Sequence, residues 1–152
     1  MKPRTRARTI ALQVLYETDL SNHPPGDVLK TRLEETALSD ELAEFARQII
    51  FGVLPLRHDL DQIIAKYAPE WPLDQIAAID RNILRIACWE FAISRETPLK
   101  VAINEAVEMA KIDGSDSTAR FVTGVLGTLV EHENEIRQLV KDHVPQGTNM
   151  ES

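Results

Sequence analysis

Several features that are common in secreted, membrane and redox proteins are missing from this sequence. A single cysteine, Cys88, excludes an intrachain disulfide, a CxxC redox pair and a cysteine-based zinc site. The longest apolar runs are only a few residues, which argues against a membrane span, and the basic N-terminus lacks the apolar core of a signal peptide. These absences indicate a cytoplasmic protein in a reducing environment.

Motifs for catalysis and cofactor binding are also missing. The sequence contains no GxxxxGK[ST] loop, no GxGxxG turn and no HExxH helix. His132 lies among Glu131, Glu133 and Glu135, but residues one position apart point in different directions around a helix, so a solvated acidic face is expected there. Cys88 lies in the most apolar segment and is expected to be unreactive core. We therefore predict no enzyme activity, no metal and no cofactor.

The distribution of apolar residues predicts an all-α protein with about six or seven helices and essentially no strand. Glycine is scarce, with six residues, and apolar residues recur at helical spacing almost throughout. Ser39, Thr97 and either Ser115 or Ser117 are the predicted N-caps. The predicted helices run from about Thr5 to Leu20, Asp27 to Ala37, Asp40 to Tyr67, Ile76 to Ile93 and Pro98 to Asp113. The last begins after its cap at Ser115 or Ser117 and runs through Val140. Pro55 interrupts the third, which leaves open one kinked helix or two stacked helices.

Two prolines, Pro69 and Pro72, divide the chain into two halves. We predict one domain over residues 1–143, with sub-bundles at about 4–68 and 71–143 and a disordered tail at 144–152. Gly124 and Gly127 lie inside the last predicted helix, where each costs about 1 kcal/mol relative to alanine, so we expect another helix backbone to approach them closely. Arg85 and Glu105 lie in apolar stripes and are predicted to form a structural ion pair.

Charge is unevenly placed along the chain. The net charge is −7, yet all of the charged side chains before Glu17 are cations: Lys2, Arg4, Arg6 and Arg8. Without them, 24 acidic residues face 13 basic ones, a net charge of −11. A basic segment on an acidic body is typical of contact with RNA or DNA, and the alternative is a solvated terminus.

Four stretches together resemble the NusB family of bacterial transcription antitermination factors. They are RARTIALQVLYETD at 6–19, IDRNILRIACWEF at 79–91, PLKVAINEAVEMAK at 98–111 and RFVTGVL at 120–126. The resemblance implies two small three-helix bundles packed roughly at right angles. It also implies binding of single-stranded boxA-type RNA in nascent ribosomal RNA transcripts, together with the ribosomal protein NusE, in an antitermination complex on RNA polymerase. Some family members form homodimers that cover part of the RNA surface.

The resemblance also assigns candidate site residues. It places RNA contacts at Lys2, Arg4, Arg6 and Arg8, and at a corner where Ser117 would bond a phosphate and Phe121 would stack on a base. For Phe121 a place in the core is the alternative.

The residues that would face the protein partner are Tyr16, Asp74 and Asp80. For Asp80 the alternative is stabilisation of a helix N-terminus. Two departures from the family stand out. Thr123 occupies a position that is usually asparagine, and Thr5 lies between arginines in a thinner basic segment, from which weaker RNA affinity would follow.

Two other functions are consistent with the residues alone. A helical protein-interaction or dimerisation module would leave the basic segment without an RNA role, and RNA binding at varied salt would distinguish it. The NusB-like domain of ribosomal RNA cytosine methyltransferases would carry a large α/β catalytic domain downstream, whereas this sequence ends at Ser152, so we disfavour it.

Overall fold

The computed structural model describes residues 1–68 and 76–143, with side chains described as far as Lys141. This part of the chain is helical and contains no strand, as predicted. The helices are α1 (Pro3–Leu20), α2 (Pro25–Glu35), α3 (Asp40–Val53), α4 (Arg57–Tyr67), α5 (Ala78–Cys88), α6 (Leu99–Asp113), α7 (Asp116–Glu131) and α8 (Glu133–His143). Asp74, the prolines at 69 and 72 and the tail from 144 lie outside the described residues.

Side-chain caps define two of the helix starts. The Ser39 hydroxyl accepts a hydrogen bond from the Leu42 amide at the start of α3, and the Ser115 hydroxyl accepts one from the Thr118 amide at the start of α7. Each serine satisfies a backbone donor that has no partner within the helix. The predicted cap at Ser39 is confirmed, and of the two serines before α7 the first is the cap. The predicted cap at Thr97 is wrong, because α6 begins after Pro98 and the Thr97 hydroxyl donates to Glu90 instead.

Pro55 separates two helices and does not kink a single one. A 3-10 turn over Leu54–Leu56 contains the proline and joins α3 to α4. Proline has no amide hydrogen to continue the helical bonding, so the α-helix ends before it. The alternative that the sequence left open is therefore resolved in favour of two helices.

Helix α1 lies between two groups of helices. It packs against α2 and α3 on one side and against α5 and α6 on another. Helix α4 packs against α5 and α7, so it belongs with the second group. This grouping differs from the predicted division at 68–71, because a proline-rich break in sequence does not decide which neighbour a helix packs against.

Helix α5 runs through the centre of the core, and its buried residues face nearly every direction. A π-helical segment, Trp89–Ser94, continues it. Gly52 of α3 allows the indole of Trp89 to lie close, because a Cβ at this position would overlap the ring. Helices α3 and α5 are thereby held near each other at the end of α5.

Two features of the last predicted helix differ from expectation. It is divided at His132, which ends α7 with φ of −116° and stacks against the Tyr67 ring at a centroid distance of 4.8 Å. The explanation for Gly124 and Gly127 is wrong, because a Cβ at either position would meet nothing within 4 Å. Both glycines face outward, so no helix backbone approaches them within the described residues.

No helix among the described residues is both long and apolar enough to cross a membrane.

Candidate nucleic-acid interface

The basic N-terminal segment, residues 2–8, is part of a helix. Helix α1 starts at Pro3, and proline is well suited to the first helical position because it needs no amide donor. Lys2, Arg4 and Arg6 are exposed to solvent. Three of the four predicted RNA-contacting cations are therefore accessible and lie on, or next to, an ordered helix.

Arg8 is the exception, and the expectation that it contacts RNA needs correction. Its side chain is 3% exposed. Nε and Nη2 donate to the Glu90 carboxylate at 2.9 and 2.8 Å, and Nη1 donates to Glu105 at 3.2 Å. The physical reason is the position of Arg8 around the helix axis. It lies on the same face of α1 as Ala11 and Leu15, which are core residues.

Arg4 is exposed but not isolated. Its guanidinium lies over the Phe45 ring at 4.5 Å from the centroid, and that of Arg8 lies 5.0 Å from the same centroid. A shallow cavity beside Arg4 is lined by Glu41 and Glu44. These carboxylates attract Arg4 and repel a phosphate, so the surroundings of Arg4 are less favourable for RNA than its exposure alone suggests.

Ser117 and Phe121 both lie on α7, one turn apart. Ser117 is exposed in the first turn of the helix, and its hydroxyl is 2.8 Å from that of Ser115. Phe121 is half-buried and packs against the core, so part of its ring is accessible. Thr123 is exposed. Helix α6 packs against both α1 and α7 and so connects this corner to the basic segment.

The residues predicted to face a protein partner do not form one exposed group. Tyr16 is half-buried, whereas Asp80 is 9% exposed and accepts a hydrogen bond of 3.0 Å from the Thr118 hydroxyl. Burial raises the pKa of Asp80, and the hydrogen bond from Thr118 opposes that rise. Asp80 therefore connects α5 to α7 inside the protein, and the expectation of a direct partner contact is corrected.

A second buried polar cluster involves Arg85, but not with the predicted partner. Arg85 donates to Asp61 of α4 at 2.7 Å and to Asp19 of α1 at 2.9 Å, while Asn82 donates to the same Asp19 oxygen at 2.9 Å. The expected pair between Arg85 and Glu105 is wrong, because Glu105 pairs with Arg8. Asp19 is thus engaged within the fold, so it does not add to an acidic docking face.

The position of each charged residue around its helix was the sequence feature that indicated both buried clusters. Arg8, Arg85 and Glu105 each occupy an apolar face at helical spacing, which shows that they are buried. Spacing alone does not show which distant carboxylate meets which guanidinium. Asp19, Asp61 and Glu90 are separated from their partners by 24 to 82 positions in the chain.

The described residues contain no group of three or more metal-ligating side chains placed to hold an ion. Cys88 is fully buried, and burial raises the pKa of its thiol to about 12. At neutral pH the thiol is therefore protonated and shielded, as the sequence predicted for a core cysteine.

Comparison with known proteins gives a consistent result. The model of the NusB family matches residues 5–131. Transcription antitermination protein NusB of Roseiflexus castenholzii is 50% identical over 134 residues, covering 87% of this chain and 94% of the relative. The protein of the same name from Chloroflexus aggregans is 48% identical over 129 residues, covering 84% and 86%.

Solved structures share the fold. The crystal structure of antitermination factors NusB and NusE in complex with dsRNA contains a chain with TM-score 0.75 and 25% identity, covering 91% of this chain and 98% of that one. T. maritima NusB has TM-score 0.74 and 28% identity, covering 96% of both chains.

Proposed function

Since this chain belongs to the NusB family, we propose that it is a transcription antitermination factor that binds boxA-type RNA of nascent ribosomal RNA transcripts together with the ribosomal protein NusE. As a member of a family of antitermination proteins, it is not an enzyme. We also propose that it acts in the cytoplasm, within an antitermination complex on RNA polymerase.

One observation carries the RNA part of the proposal: the exposed cations Lys2, Arg4 and Arg6 lie at the N-terminal end of helix α1 on a body of opposite charge. Arginine binds phosphate through two parallel hydrogen bonds and also stacks on unpaired bases. A single-stranded RNA offers both kinds of group. Ser117, in the first turn of α7, adds a hydroxyl at a helix N-terminus, and the accessible part of Phe121 adds a stacking surface.

The test is titration of boxA-like single-stranded RNA against variants of one cation at a time. Arg6→Gln should weaken binding roughly fivefold at 0.1 M salt. Each phosphate neutralised on a single strand makes the affinity vary with about the −0.7 power of the salt concentration, which is a factor of about five at 0.1 M relative to 1 M. Lys30→Gln removes an exposed cation from α2 and serves as the matched control. Binding of a NusE protein without any binding of RNA at low salt would instead support the interaction module.

The surface at the end of α1 is the one that we propose for NusE. Tyr16 is half-buried there, and Leu20 is 61% exposed in the last turn. Glu17, between them, is held by His23 at 2.9 Å and Arg32 at 3.3 Å, and the hydrogen bond with His23 lowers the pKa of its carboxyl. This surface offers an apolar contact beside a carboxylate that stays ionised.

Leu20→Ser tests this assignment without disturbing the core. We expect weaker NusE binding and unchanged RNA binding in the absence of NusE. Phe51→Ser removes a 44% exposed apolar side chain from α3 and is the matched control. If the two variants bind NusE equally well, the surface lies elsewhere. Asp74 stays a predicted partner contact.

RNA and NusE should bind cooperatively, because a basic partner on an acidic body reduces the repulsion of RNA. Because the binding cycle is closed, each ligand must strengthen the binding of the other by the same factor. We expect a coupling free energy of about 1–3 kcal/mol. Titrations of each ligand with and without the other measure it. We also propose a monomer–dimer equilibrium in which the dimer covers part of the RNA surface. Sedimentation over a hundredfold concentration range tests it, and a single species throughout would count against it.

A further inference from the structure

The first turn of α1 lacks the features that usually hold a helix N-terminus. The side chain of Lys2 at the N-cap does not cap the helix, and no acidic residue lies in the first turn. The cations Lys2, Arg4 and Arg6 place positive charge at the positive end of the helix dipole, which is unfavourable. Apart from the favourable Pro3, local sequence therefore promotes fraying of this turn.

A buried contact with α6 compensates for this. The Thr5 side chain lies in the same turn and is 3% exposed. Its hydroxyl donates a 2.7 Å hydrogen bond to Oε1 of Glu105. The same Glu105 oxygen accepts the bond from Arg8 Nη1, which fixes the carboxylate in place.

We propose that Thr5 and Glu105 are positioning residues for RNA binding: their hydrogen bond holds the first turn of α1 helical, so that Arg4 and Arg6 are presented in fixed directions. The inference rests on the proposed RNA-binding function. Groups that are already ordered lose less conformational freedom when they bind, and this raises affinity. The family resemblance predicts a more arginine-rich segment around Thr5. Thr5 carries no charge, and it supports RNA binding through this hydrogen bond instead.

Two substitutions and a matched control isolate the hydroxyl. Thr5→Val keeps the β-branched shape and removes the hydrogen bond, whereas Thr5→Ser keeps the hydroxyl and should restore the wild-type behaviour. Thr9→Val is the control, because Thr9 lies on the same helix, is 9% exposed, and has a buried hydroxyl without a hydrogen-bond partner among the described residues. A general effect of replacing threonine with valine in α1 would appear in both valine variants.

The first measurement is amide hydrogen exchange in the full chain, without RNA. The Arg6 amide donates to the Lys2 carbonyl at 3.0 Å in the first bond of the helix. We expect Thr5→Val to speed exchange at Arg6 and Ala7 by about two- to tenfold, as for the loss of one hydrogen bond. Thr5→Ser and Thr9→Val should leave exchange close to wild type.

The second measurement is affinity for boxA-like single-stranded RNA at fixed salt. We expect Thr5→Val to weaken RNA binding by about two- to tenfold and Thr9→Val to leave the affinity unchanged. Unchanged exchange in Thr5→Val would overturn the positioning role, and so would faster exchange with unchanged affinity. If the wild-type chain binds no RNA, the proposed function fails, while exchange still shows whether the hydrogen bond holds the turn.

Discussion

Arg8 and Glu90 form an ion pair in the interior of the protein. Nη2 of Arg8 lies 2.8 Å from Oε1 of Glu90, and the two side chains are 3% and 2% exposed. The Thr97 hydroxyl donates to the same Glu90 oxygen at 2.9 Å. This pair joins α1 to the π-helical segment after α5, so it fixes the helix that we propose for RNA contact relative to the centre of the core.

Loss of one partner should be costly. Arg8→Met leaves the carboxylates of Glu90 and Glu105 buried without a cation, and we expect a loss of about 3–5 kcal/mol in the free energy of unfolding. Arg32→Met breaks an ion pair with Glu17 in which each side chain is 32% exposed. This variant should lose only about 0.2–1 kcal/mol in the free energy of unfolding. Urea unfolding followed by circular dichroism measures both, and similar losses would contradict the role of burial.

RNA binding should depend on salt to an extent set by the exposed cations. Arg8 is engaged internally, so Lys2, Arg4 and Arg6 are the cations of this segment that remain for phosphates. Each phosphate neutralised on a single strand contributes about −0.7 to the slope of log affinity against log salt, which gives a slope of roughly −2. Titrations at several salt concentrations measure the slope. A slope that does not change when Lys2, Arg4 and Arg6 are all replaced by Gln, which keeps the buried Arg8 in place, would exclude these cations from the site.

Asp80→Asn should make the protein more stable at neutral pH. Burial raises the pKa of Asp80 above its usual 3.8. At pH values between 3.8 and the raised pKa, the folded state therefore binds more protons than the unfolded state. Stability therefore falls as pH rises through this window, and above it the ionised Asp80 costs stability in full. An asparagine can still accept the hydrogen bond from Thr118 and carries no charge.

The gain in Asp80→Asn should disappear below pH 3.8, where the wild-type carboxyl is protonated in both states. Urea unfolding on both sides of the window gives the difference. Lower stability of the variant at neutral pH would show that the charge stabilises the start of α5 more than burial disfavours it.

Gly124→Ala and Gly127→Ala should each stabilise the protein. Neither position leaves a new Cβ in contact with other atoms, and both lie inside α7. Alanine has the higher helix propensity, so we expect about 0.5–1 kcal/mol from each. Thermal unfolding checks this. Gly52→Ala should do the opposite, because its Cβ would overlap the Trp89 ring.

Cys88 should resist thiol reagents in the native protein. Its thiol is buried and has a pKa of about 12, so the reactive thiolate is almost absent at neutral pH. Labelling by Ellman's reagent should occur only as the protein unfolds and should accelerate with urea. Rapid labelling without urea would show that the core opens locally around α5.

The sequence by itself determined the helices, most of their ends and which faces are buried, because these depend on residues three or four positions apart. Ser39 and Gly114 mark ends that the structure confirms. The same short-range rules also show why Pro55 ends a helix, but not how the following helix packs.

Only the tertiary structure decided the partners of the buried charges and the environment of the candidate site. Arg8 and Glu90 are 82 positions apart, and Arg85 meets Asp19 and not Glu105. A helix pattern shows that a charged residue faces inward, but its partner depends on how two distant helices cross. For that reason Arg8 and Asp80, which the family resemblance placed on binding surfaces, are buried and bonded to other helices, while Arg4 and Arg6 are accessible. Periodicity acts within one helix, whereas an ion pair requires two helices to be brought together, and the packing of the whole core determines that.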